Sequence, residues 1–427
     1  MQRRDFLIGS VIAAAGAATM QSASAETAAL PAADPATPAT DGAYWTAVRD
    51  LYEVDRSIAN LENGYWGIMA RPVLEAYLEN TRRVNRENSF YARSAFGADF
   101  ETVRLRVAAA VGAQPEEVAL TRGATEALQT LIAGYNKLQP GDTVLYADLD
   151  YDSMQYAMNA LRDRRGVEVK NFAIPEPATR EAVLETYRTV LEQTPKAKLL
   201  LLTHLSHRTG LVMPIREIAD MARAKGIATI VDAAHSWGQI PFDVADLGAD
   251  FVGFNLHKWI GAPVGMGFFH IRKDRLADID IHLADQDWPA DDIRSRIHTG
   301  TIDFAAALTV PAALDLHERI GAAAKNARLV HLRNYWVERI RPIDAFDILT
   351  PDEAGMHAGI TSFRVRGKTS KEDNTALVAK LRDEFKVLTV RRAGVAAGQC
   401  IRVSPALYTT EAEVDRLVEA LTTIGAS

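Results

Sequence analysis

The sequence predicts an α/β protein with a mostly parallel sheet covered by helices on both faces, followed by a smaller α+β domain. Within residues 80–310, short and continuously apolar runs alternate with longer segments of helical spacing. Continuous apolar runs indicate strands that are buried on both faces, as in parallel sheets. After residue 310 this alternation gives way to long helical stretches and isolated strand-like runs, which indicates the second domain.

The elements of the large domain follow from the positions of these runs. A helix at 72–86 comes first, because its apolar residues recur with helical spacing. Strands are predicted at 118–121, 143–147, 167–174, 199–204, 227–231, 251–255 and 267–271. Helices are predicted between them at 124–135, 153–162, 179–193 and 215–224. Parallel strands bring their carboxyl ends to one edge of the sheet, where such folds bind ligands.

The smaller domain is predicted to comprise residues 311–427, joined by the N-terminal segment 43–79. Helical spacing predicts one long helix at 312–339 and further helices at 371–384 and 411–424. Strand-like runs stand at 360–365, 387–391 and 400–403. The sequence therefore divides into a large domain that supplies the ligand-binding edge and a smaller domain behind it.

The first 25 residues are predicted to be an export signal. Arg3 and Arg4 precede a weakly apolar, alanine-rich stretch, and small residues around Ala25 offer a cleavage site. The arginine pair resembles a twin-arginine signal, which implies the twin-arginine export machinery as a partner and a periplasmic location. Residues 26–42 are rich in Ala, Pro and Thr and are predicted to be a linker. The alternatives are an amphipathic helix or an uncleaved anchor.

Charge and cysteine content exclude several classes of protein. The formal net charge is −7, which gives no support to binding of nucleic acid or an anionic membrane. The single cysteine, Cys400, excludes an intramolecular disulfide, an all-cysteine metal site and an iron–sulfur cluster. No metal is therefore predicted.

Lys258 and Asp232 are the residues on which the functional prediction rests. Lys258 follows the apolar run 251–255, and Asp232 follows the run 227–231. Pyridoxal phosphate (PLP) needs a lysine amine for its aldehyde and a carboxylate for its pyridine nitrogen. Lysine is rarely buried without a partner or a function. The plainer explanations are a lysine whose amine reaches solvent past Trp259 and an aspartate that caps a helix.

Other strand-end residues supply the remaining contacts that PLP requires. Ala124 and Thr125 begin a predicted helix and would bind the phosphate through backbone N–H groups and a hydroxyl. Tyr151 would stack on the ring. His235 and His207 would bind the phenolic oxygen or the substrate. Taken singly, these residues are more commonly a helix cap, a surface tyrosine and structural histidines.

The segments 231–235 and 255–258 together resemble the class V aminotransferase family of fold-type-I PLP enzymes, over nearly all of the chain from residue 60. The resemblance implies the PLP-dependent transferase fold type I, with PLP as cofactor. It also implies that Lys258 forms the Schiff base, that Asp232 pairs with the pyridine nitrogen and that Tyr151 stacks on the ring.

Further matches to the family imply the phosphate contacts. Thr125 and the backbone of Ala124, together with Asn255 and His257, match the family's phosphate-binding positions. His235 falls where the family places a residue beside the phenolic oxygen. These assignments come from the resemblance and extend the contacts that strand-end position alone predicts.

The resemblance also implies a homodimer and a substrate clamp. Thr301 follows a glycine in a pair that resembles the family's contact to the phosphate of the partner subunit. Arg402 resembles the arginine that binds the substrate carboxylate, a bidentate role that lysine fills poorly. Asn63, in a turn that lines the substrate site, and His207 are the other predicted substrate-binding residues. The implied substrate is a small molecule that carries an amino group.

The turn at 61–67 resembles the isopenicillin N epimerase-like branch of the family most closely. That branch includes exported enzymes, among them one that tailors a siderophore side chain in the periplasm. Cys400 lies two residues before Arg402 on a predicted strand. The cysteine-bearing loop of cysteine desulfurases is therefore expected to be absent.

These observations predict an exported PLP-dependent aminotransferase acting on an amino acid or on an amino-acid-containing metabolite, such as a siderophore side chain. Lys258 would take up the proton on the substrate carbon that bears the amine. An amino-acid epimerase and a β-elimination lyase remain alternatives on the same scaffold, followed by a non-catalytic PLP-binding protein. The sequence names neither the substrate nor the amino acceptor.

Overall fold

The strands form three sheets in a computed structural model, which describes residues 39–40 and 42–426. The predicted export signal and nearly all of the predicted linker lie outside these residues. In chain order the strands are β1 (Ala59–Asn60), β2 (Val118–Thr121), β3 (Thr143–Ala147), β4 (Glu168–Phe172), β5 (Ala197–Thr203), β6 (Ala228–Asp232), β7 (Phe251–Asn255), β8 (Gly267–Ile271), β9 (Phe346–Ile348), β10 (Thr361–Val365), β11 (Val387–Leu388), β12 (Val390–Arg392) and β13 (Cys400–Val403).

The helices lie between and after these strands, and several begin at side-chain caps. Thr179 and Thr410, for example, accept hydrogen bonds from backbone N–H groups of the first turn. None of the described helices is both long and apolar enough to cross a bilayer. In chain order the α-helices are Gly42–Arg49, Arg71–Ser94, Phe96–Ala110, Ala124–Gly134, Asp152–Arg165, Arg180–Glu192, Ile215–Ala224, Phe304–Ile320, Ala322–Ile340, Lys371–Phe385 and Glu411–Gly425.

The central sheet has seven strands in the order β2-β8-β7-β6-β5-β3-β4. Strands β3 to β7 pair in parallel, whereas β8 runs antiparallel to both β7 and β2. The prediction of a mostly parallel sheet is therefore confirmed. The carboxyl ends of β2, β3, β5, β6 and β7 meet at one edge, which is where open sheets of this kind bind ligands.

Both faces of this sheet are buried. Along β5, Leu200 and Leu202 pack into one hydrophobic cluster, while Leu199 and Leu201 pack into another on the opposite face. Successive strand residues point to opposite faces, so a continuous apolar run covers both. Burying each such side chain contributes about 2 kcal/mol, which explains why these strands are apolar throughout.

The smaller domain has its own core around an antiparallel sheet in the order β12-β13-β10-β9. Strand β1, from the N-terminal segment, pairs in parallel with β11 of this domain. The helix Gly42–Arg49 instead buries Trp45 and Val48 in the core of the large domain. The segment predicted to join the small domain is thus shared between the two.

The structure corrects the predicted long helix at 312–339. Two helices replace it, Phe304–Ile320 and Ala322–Ile340, and they meet at Gly321, whose φ of 85° ends the first. Pro311 lies inside the first helix, so the predicted domain limit at 310 cuts a continuous helix. Tertiary packing against the helices Arg71–Ser94 and Phe96–Ala110 overrides the usual helix-breaking effect of proline.

Three smaller predictions also differ from the structure. The predicted strand at 387–391 is divided into β11 and β12 on either side of Thr389, and the two belong to different sheets. The helix Phe96–Ala110 and strand β9 were not predicted, because the helix has a weakly apolar face and β9 is very short.

Candidate active site

The carboxyl edge of the central sheet brings Lys258 and Asp232 to neighbouring strand ends. Asp232 ends β6, and Lys258 follows β7, its parallel neighbour. The Lys258 side chain is half-buried. Its amine nevertheless lies deep enough among protein atoms for desolvation to lower its pKa to about 8, while Asp232 acts in the opposite direction. Lys258 is therefore a lysine with an accessible neutral form near physiological pH.

His235 contacts Lys258 directly. Its Nε2 lies 3.1 Å from Lys258 Nζ, and its Nδ1 accepts a hydrogen bond of 3.2 Å from the indole Nε1 of Trp259. The indole can only donate, so the neutral imidazole carries its proton on Nε2, facing Lys258. Burial holds the pKa of His235 well below its ordinary value. A neutral imidazole that points an N–H at Nζ favours a neutral amine over an ammonium.

Asp232 provides a buried carboxylate with one oxygen still open. Its Oδ1 accepts a hydrogen bond of 2.9 Å from the backbone N–H of Ala234, and no donor among the described residues reaches Oδ2. Burial raises its pKa, although the Ala234 N–H and Lys258 lower it in part. Its open oxygen can accept a hydrogen bond from a protonated ring nitrogen, so this residue fits PLP.

The N-terminus of the helix Ala124–Gly134 lies at the same edge of the sheet, where the sequence predicts phosphate binding. The N–H of Ala124, a predicted phosphate contact, donates to Asn255 Oδ1 at 2.7 Å. The next two N–H groups, of Thr125 and Glu126, take no partner in the part of the chain that the structure describes, and Thr125 is exposed. Free N–H groups at a helix N-terminus fit a phosphate.

Asn255 and His257 border the same helix terminus. An added Cβ at Gly123 would lie 3.1 Å from Asn255 Oδ1 and 3.4 Å from His257 Cε1. His257 donates its Nδ1 proton to the carbonyl of Met266 at 3.0 Å, which orients the ring toward the glycine. The amide Nδ2 of Asn255 has no partner among the described residues and remains available to an anion.

Tyr151 and His207 form one wall of the site. The two rings meet edge to face, with centroids 5.1 Å apart and planes at 88°. Tyr151 is exposed on its other side, whereas His207 is buried and its Nδ1 has no partner among the described residues. The exposed face of Tyr151 can stack on a flat ring, and burial keeps His207 neutral by lowering its pKa well below the ordinary value.

The predicted substrate-binding residues Arg402 and Asn63 are both held within the fold. Arg402 is fully buried, and its Nη2 donates to Glu62 Oε1 and Oε2 at 2.5 and 2.8 Å. Asn63 donates both amide hydrogens to the carbonyls of Asn60 and Ser404. The structure thus places the two residues beside the site but commits their side chains to internal partners.

Thr301 is exposed on the loop that precedes the helix Phe304–Ile320. Gly300 before it has a φ of 62° and no atom near an added Cβ. Thr299 and Ile302 on either side line a shallow cavity with Thr121 and Arg122. The loop is therefore open on its outer side, and the role of Thr301 toward a partner subunit stays a prediction.

Three residues of the site were not predicted from the sequence: Glu62, Trp259 as a partner of His235, and Arg392. Glu62 lies in the turn that drew attention to Asn63, and Trp259 directly follows Lys258. Arg392 is one of two adjacent arginines in a strand. Their side chains point to opposite faces, and only the register of the sheet decides which one faces the site.

Comparison with known proteins gives one family. The model of the family described as "Aminotransferase class-V" matches residues 69–417. The isopenicillin N epimerase of Amycolatopsis lactamdurans is 29% identical over 395 residues, which are 88% of this chain and 98% of the epimerase.

Two solved structures show the same fold. The apo cysteine desulfurase of Thermococcus onnurineus superposes with a TM-score of 0.75 at 21% identity, covering 89% of this chain and 98% of that one. A C-DES mutant with glycine covalently linked to its PLP cofactor superposes with a TM-score of 0.74 at 22% identity, covering 87% of this chain and 98% of that one. The fold-type-I architecture predicted from the sequence is confirmed.

Proposed function

Because this chain belongs to the class V aminotransferase family, a family of PLP-dependent enzymes, we propose that it is an aminotransferase acting on a small amine that carries a carboxylate. The observation that carries the proposal is the amine of Lys258, with a pKa lowered to about 8 and Asp232 at the end of the adjacent strand. Bound PLP supplies an aldehyde and an electron-accepting ring, which allow a proton to leave the carbon next to the amine.

The chain's own residues divide the work of holding the cofactor. The N–H groups of Thr125 and Glu126 and the amide of Asn255 would bind the phosphate. Tyr151 would cover one face of the ring, and Asp232 would hold a proton at the ring nitrogen. With these five residues in place, the amine of Lys258 is the group left to act on the substrate.

Lys258 moves the proton in this proposal. Its neutral Nζ would take the proton from the substrate carbon that bears the amine, and in transamination the same Nζ would later release that proton. The His235 N–H favours the neutral form of Nζ, because the Trp259 indole fixes the imidazole tautomer. In this proposal Lys258 therefore both removes and returns the proton.

Borohydride reduction of the holoenzyme followed by peptide mapping tests the cofactor linkage, and the label is expected at Lys258. A stoichiometric amount of an amine donor should convert the bound cofactor to its pyridoxamine form, seen as loss of the visible absorbance. Retention of full activity by Lys258→Ala would refute the whole scheme. A correctly labelled enzyme that never yields the pyridoxamine form would refute transamination alone.

Epimerisation is the second candidate, favoured by the similarity to isopenicillin N epimerase over 98% of that enzyme. It needs a second group that protonates the substrate carbon from the opposite face. Tyr151 and His207 lie at the site, and Tyr65 is exposed nearby in the turn after Asn63. Exchange of the substrate α-proton with solvent deuterium, accompanied by racemisation and without formation of the pyridoxamine form, would decide for it.

The enzyme is further proposed to act as a homodimer in which Thr301 reaches the phosphate of the partner subunit. Its support is the resemblance of the Gly300-Thr301 pair and the exposure of Thr301 on an outer loop. Sedimentation analysis of the holoenzyme should give a dimer. An active monomer would contradict this part of the proposal.

Export to the periplasm, with cleavage near Ala25, is proposed from Arg3, Arg4 and the apolar stretch that follows. Cell fractionation should find the mature protein in the periplasm, and replacement of both arginines by lysine should retain it in the cytoplasm. If a siderophore side chain is the substrate, mass spectrometry of periplasmic metabolites should show the unmodified amine accumulating when the protein is absent.

A further inference from the structure

Three side chains of metal-binding type lie close together on the loop that leads to Thr301. Asp285, Asp287 and His298, here called the Asp–His cluster, each offer one ligand atom, and these atoms all lie within 4.8 Å of one another. Two protein atoms bound to the same divalent transition-metal ion, each at about 2.1 Å, stand roughly 3–4 Å apart. The cluster is therefore compact enough for one ion to contact all three side chains after small rotations.

Asp285 brings a buried carboxylate oxygen that no hydrogen bond satisfies. Its side chain is 1% exposed, and Oδ1 has no hydrogen-bond partner among the described residues. Oδ2 accepts the backbone N–H of Trp288 at 3.4 Å, while Oδ1 faces His298 Nδ1 at 3.7 Å. That separation is too long for a hydrogen bond, but it is ordinary for two ligands of one ion. Because a buried carboxylate without a partner is costly, Oδ1 indicates a ligand at this position.

The nearby cation does not fill this place. Asp285 acts electrostatically on the buried Arg296. The Arg296 guanidinium, however, donates to the side chain of Ser295 and to two backbone carbonyls, those of Leu276 and Ala290. Asp287 makes no hydrogen bond or ion pair with another residue that the structure describes. The cluster thus presents two carboxylates whose facing oxygens are open to a cation.

The loop itself brings the ligands together. The backbone N–H of His282 donates to the carbonyl of Ser295 at 2.9 Å, which closes the loop between its two ends. The rings of His282 and His298 lie nearly parallel, with planes at 21° and centroids 6.4 Å apart. His282 Nδ1 accepts the N–H of Ala284 at 3.3 Å, so this histidine supports the loop from within. Asp285 and His298 are neighbours because the loop is closed in this way.

We propose that Asp285, Asp287 and His298 bind one divalent transition-metal ion, of which Zn²⁺ fits best. Zn²⁺ accepts imidazole nitrogen together with carboxylate oxygen, whereas Mg²⁺ and Ca²⁺ prefer oxygen ligands alone. Asp287 and His298 are exposed, so water can complete the coordination. The single cysteine, from which no metal was predicted, excludes an all-cysteine site and leaves aspartate and histidine ligands open.

The ion would fix the loop that carries Gly300 and Thr301. His298 precedes this pair directly along the chain, and Thr301 is exposed. An ion that joins His298 to Asp285 ties the approach to Thr301 to a buried residue, and it stabilises the folded form by binding to it alone. The site uses no residue assigned to the cofactor, so it stands or falls independently of the proposed function.

Zn²⁺ is titrated by calorimetry into the holoenzyme after dialysis against EDTA. Wild type should bind one equivalent. Asp285→Asn and His298→Gln should bind at least about 10- to 100-fold more weakly, since even groups that only orient a metal ligand contribute that much. Asp291→Asn is the matched control: it removes the same charge from an exposed position of the same loop, and its affinity should equal that of wild type.

Thermal unfolding distinguishes a metal ligand from an aspartate that merely supports the fold. In EDTA, Asp285→Asn should be at least as stable as wild type, because the amide removes a buried charge without a partner. Zn²⁺ at about a hundred times its Kd should raise the melting temperature of wild type by roughly 2–5 °C and leave that of the variant unchanged.

Three results would overturn the proposal: a wild-type protein that binds no Zn²⁺, an Asp285→Asn variant with wild-type affinity, or an equal loss of affinity in Asp291→Asn. Zn²⁺ held only by the bound cofactor would give the second result. If Asp285→Asn does not fold, His298→Gln, which changes an exposed ligand, decides in its place, and wild-type affinity in that variant counts against the site.

Discussion

The amine of Lys258 lies 3.1 Å from Nε2 of His235, which must carry a proton because Trp259 donates to the other ring nitrogen. This relationship joins two residues that are 23 positions apart in the chain. It makes the protonation state of the lysine depend on an indole that donates to the far nitrogen of the imidazole.

Trp259→Phe should raise the pKa of Lys258. Without the indole N–H, the imidazole can move its proton to Nδ1 and present the Nε2 lone pair to an ammonium group, which stabilises the charged lysine. The pH dependence of cofactor incorporation into the apoenzyme should shift upward by up to about one unit. Trp288→Phe, at an exposed tryptophan away from this pair, serves as the control. An unshifted profile in Trp259→Phe would mean that the indole does not set the tautomer.

Cofactor incorporation should follow the titration of Lys258. Only the neutral amine attacks an aldehyde, so the rate in the wild-type apoenzyme should rise with pH through about 8 and level off above it. An ordinary lysine would keep gaining rate up to its unperturbed value of 10.5. The measurement is the growth of the visible absorbance after PLP is added at a series of pH values. A rate that still climbs well above pH 8 would contradict the lowered pKa.

The same titration predicts how the stability of the apoenzyme depends on pH. The unfolded chain holds the Lys258 proton up to about 10.5, whereas the folded chain releases it near 8. The unfolded state therefore binds more protons between these values, and this group makes the free energy of unfolding rise with pH across that window. Denaturant unfolding at several pH values should show a steeper rise in wild type than in Lys258→Met, because the variant keeps only the contribution of the buried Lys325, whose pKa is lowered to about 7.

Lys325→Met should destabilise the protein and loosen the segment that carries Lys258. The buried Lys325 donates from Nζ to the carbonyl of Trp259 at 2.8 Å and contacts His317 Nδ1 at 3.0 Å. Methionine has a similar shape but leaves that carbonyl unpaired, which costs roughly 1–3 kcal/mol. Chemical denaturation measures the loss, and Lys380→Met, on an exposed face, should change stability little. Equal stabilities for the two variants would show that the Trp259 carbonyl finds another donor.

Gly67→Ala should impair cofactor binding. A Cβ at Gly67 would lie 2.2 Å from the carbonyl oxygen of Lys258, so either the turn or the lysine segment must move. Spectroscopic titration with PLP should show at least a tenfold weaker affinity, a loss of about 1.4 kcal/mol. Gly97→Ala has nothing within 4 Å of the new Cβ and lies in a helix, so it should leave binding unchanged and stabilise the fold slightly. Normal affinity in Gly67→Ala would mean that this contact relaxes at no cost.

Local pattern accounts for most of the elements of the large domain. The strands β3, β7 and β8 begin and end where their apolar runs do, because a strand buried on both faces is mostly apolar. The helix break at Gly321 and the helix that passes through Pro311 were missed. Both depend on packing between helices that are distant in sequence, which no local pattern records.

Some features of the site follow from local sequence and others only from the folded structure. Strand-end position alone identifies Lys258 and Asp232, since the carboxyl ends of parallel strands meet at one edge. Strand-end position does not reveal that the N–H of Ala124 donates to Asn255. It also does not reveal that Asn63 donates its amide hydrogens to backbone carbonyls. Hydrogen-bond partners depend on distances between segments, and those distances exist only after folding.

The sequence by itself determined the sheet, because apolar periodicity is a property of neighbouring residues, and the resemblance of the segments 231–235 and 255–258 to the class V family implied PLP as the cofactor. Only the tertiary structure decided the internal partner of Arg402. It set Glu62 against Arg402, since the partner of a buried charge is chosen by the packing of segments that lie 340 residues apart in the chain.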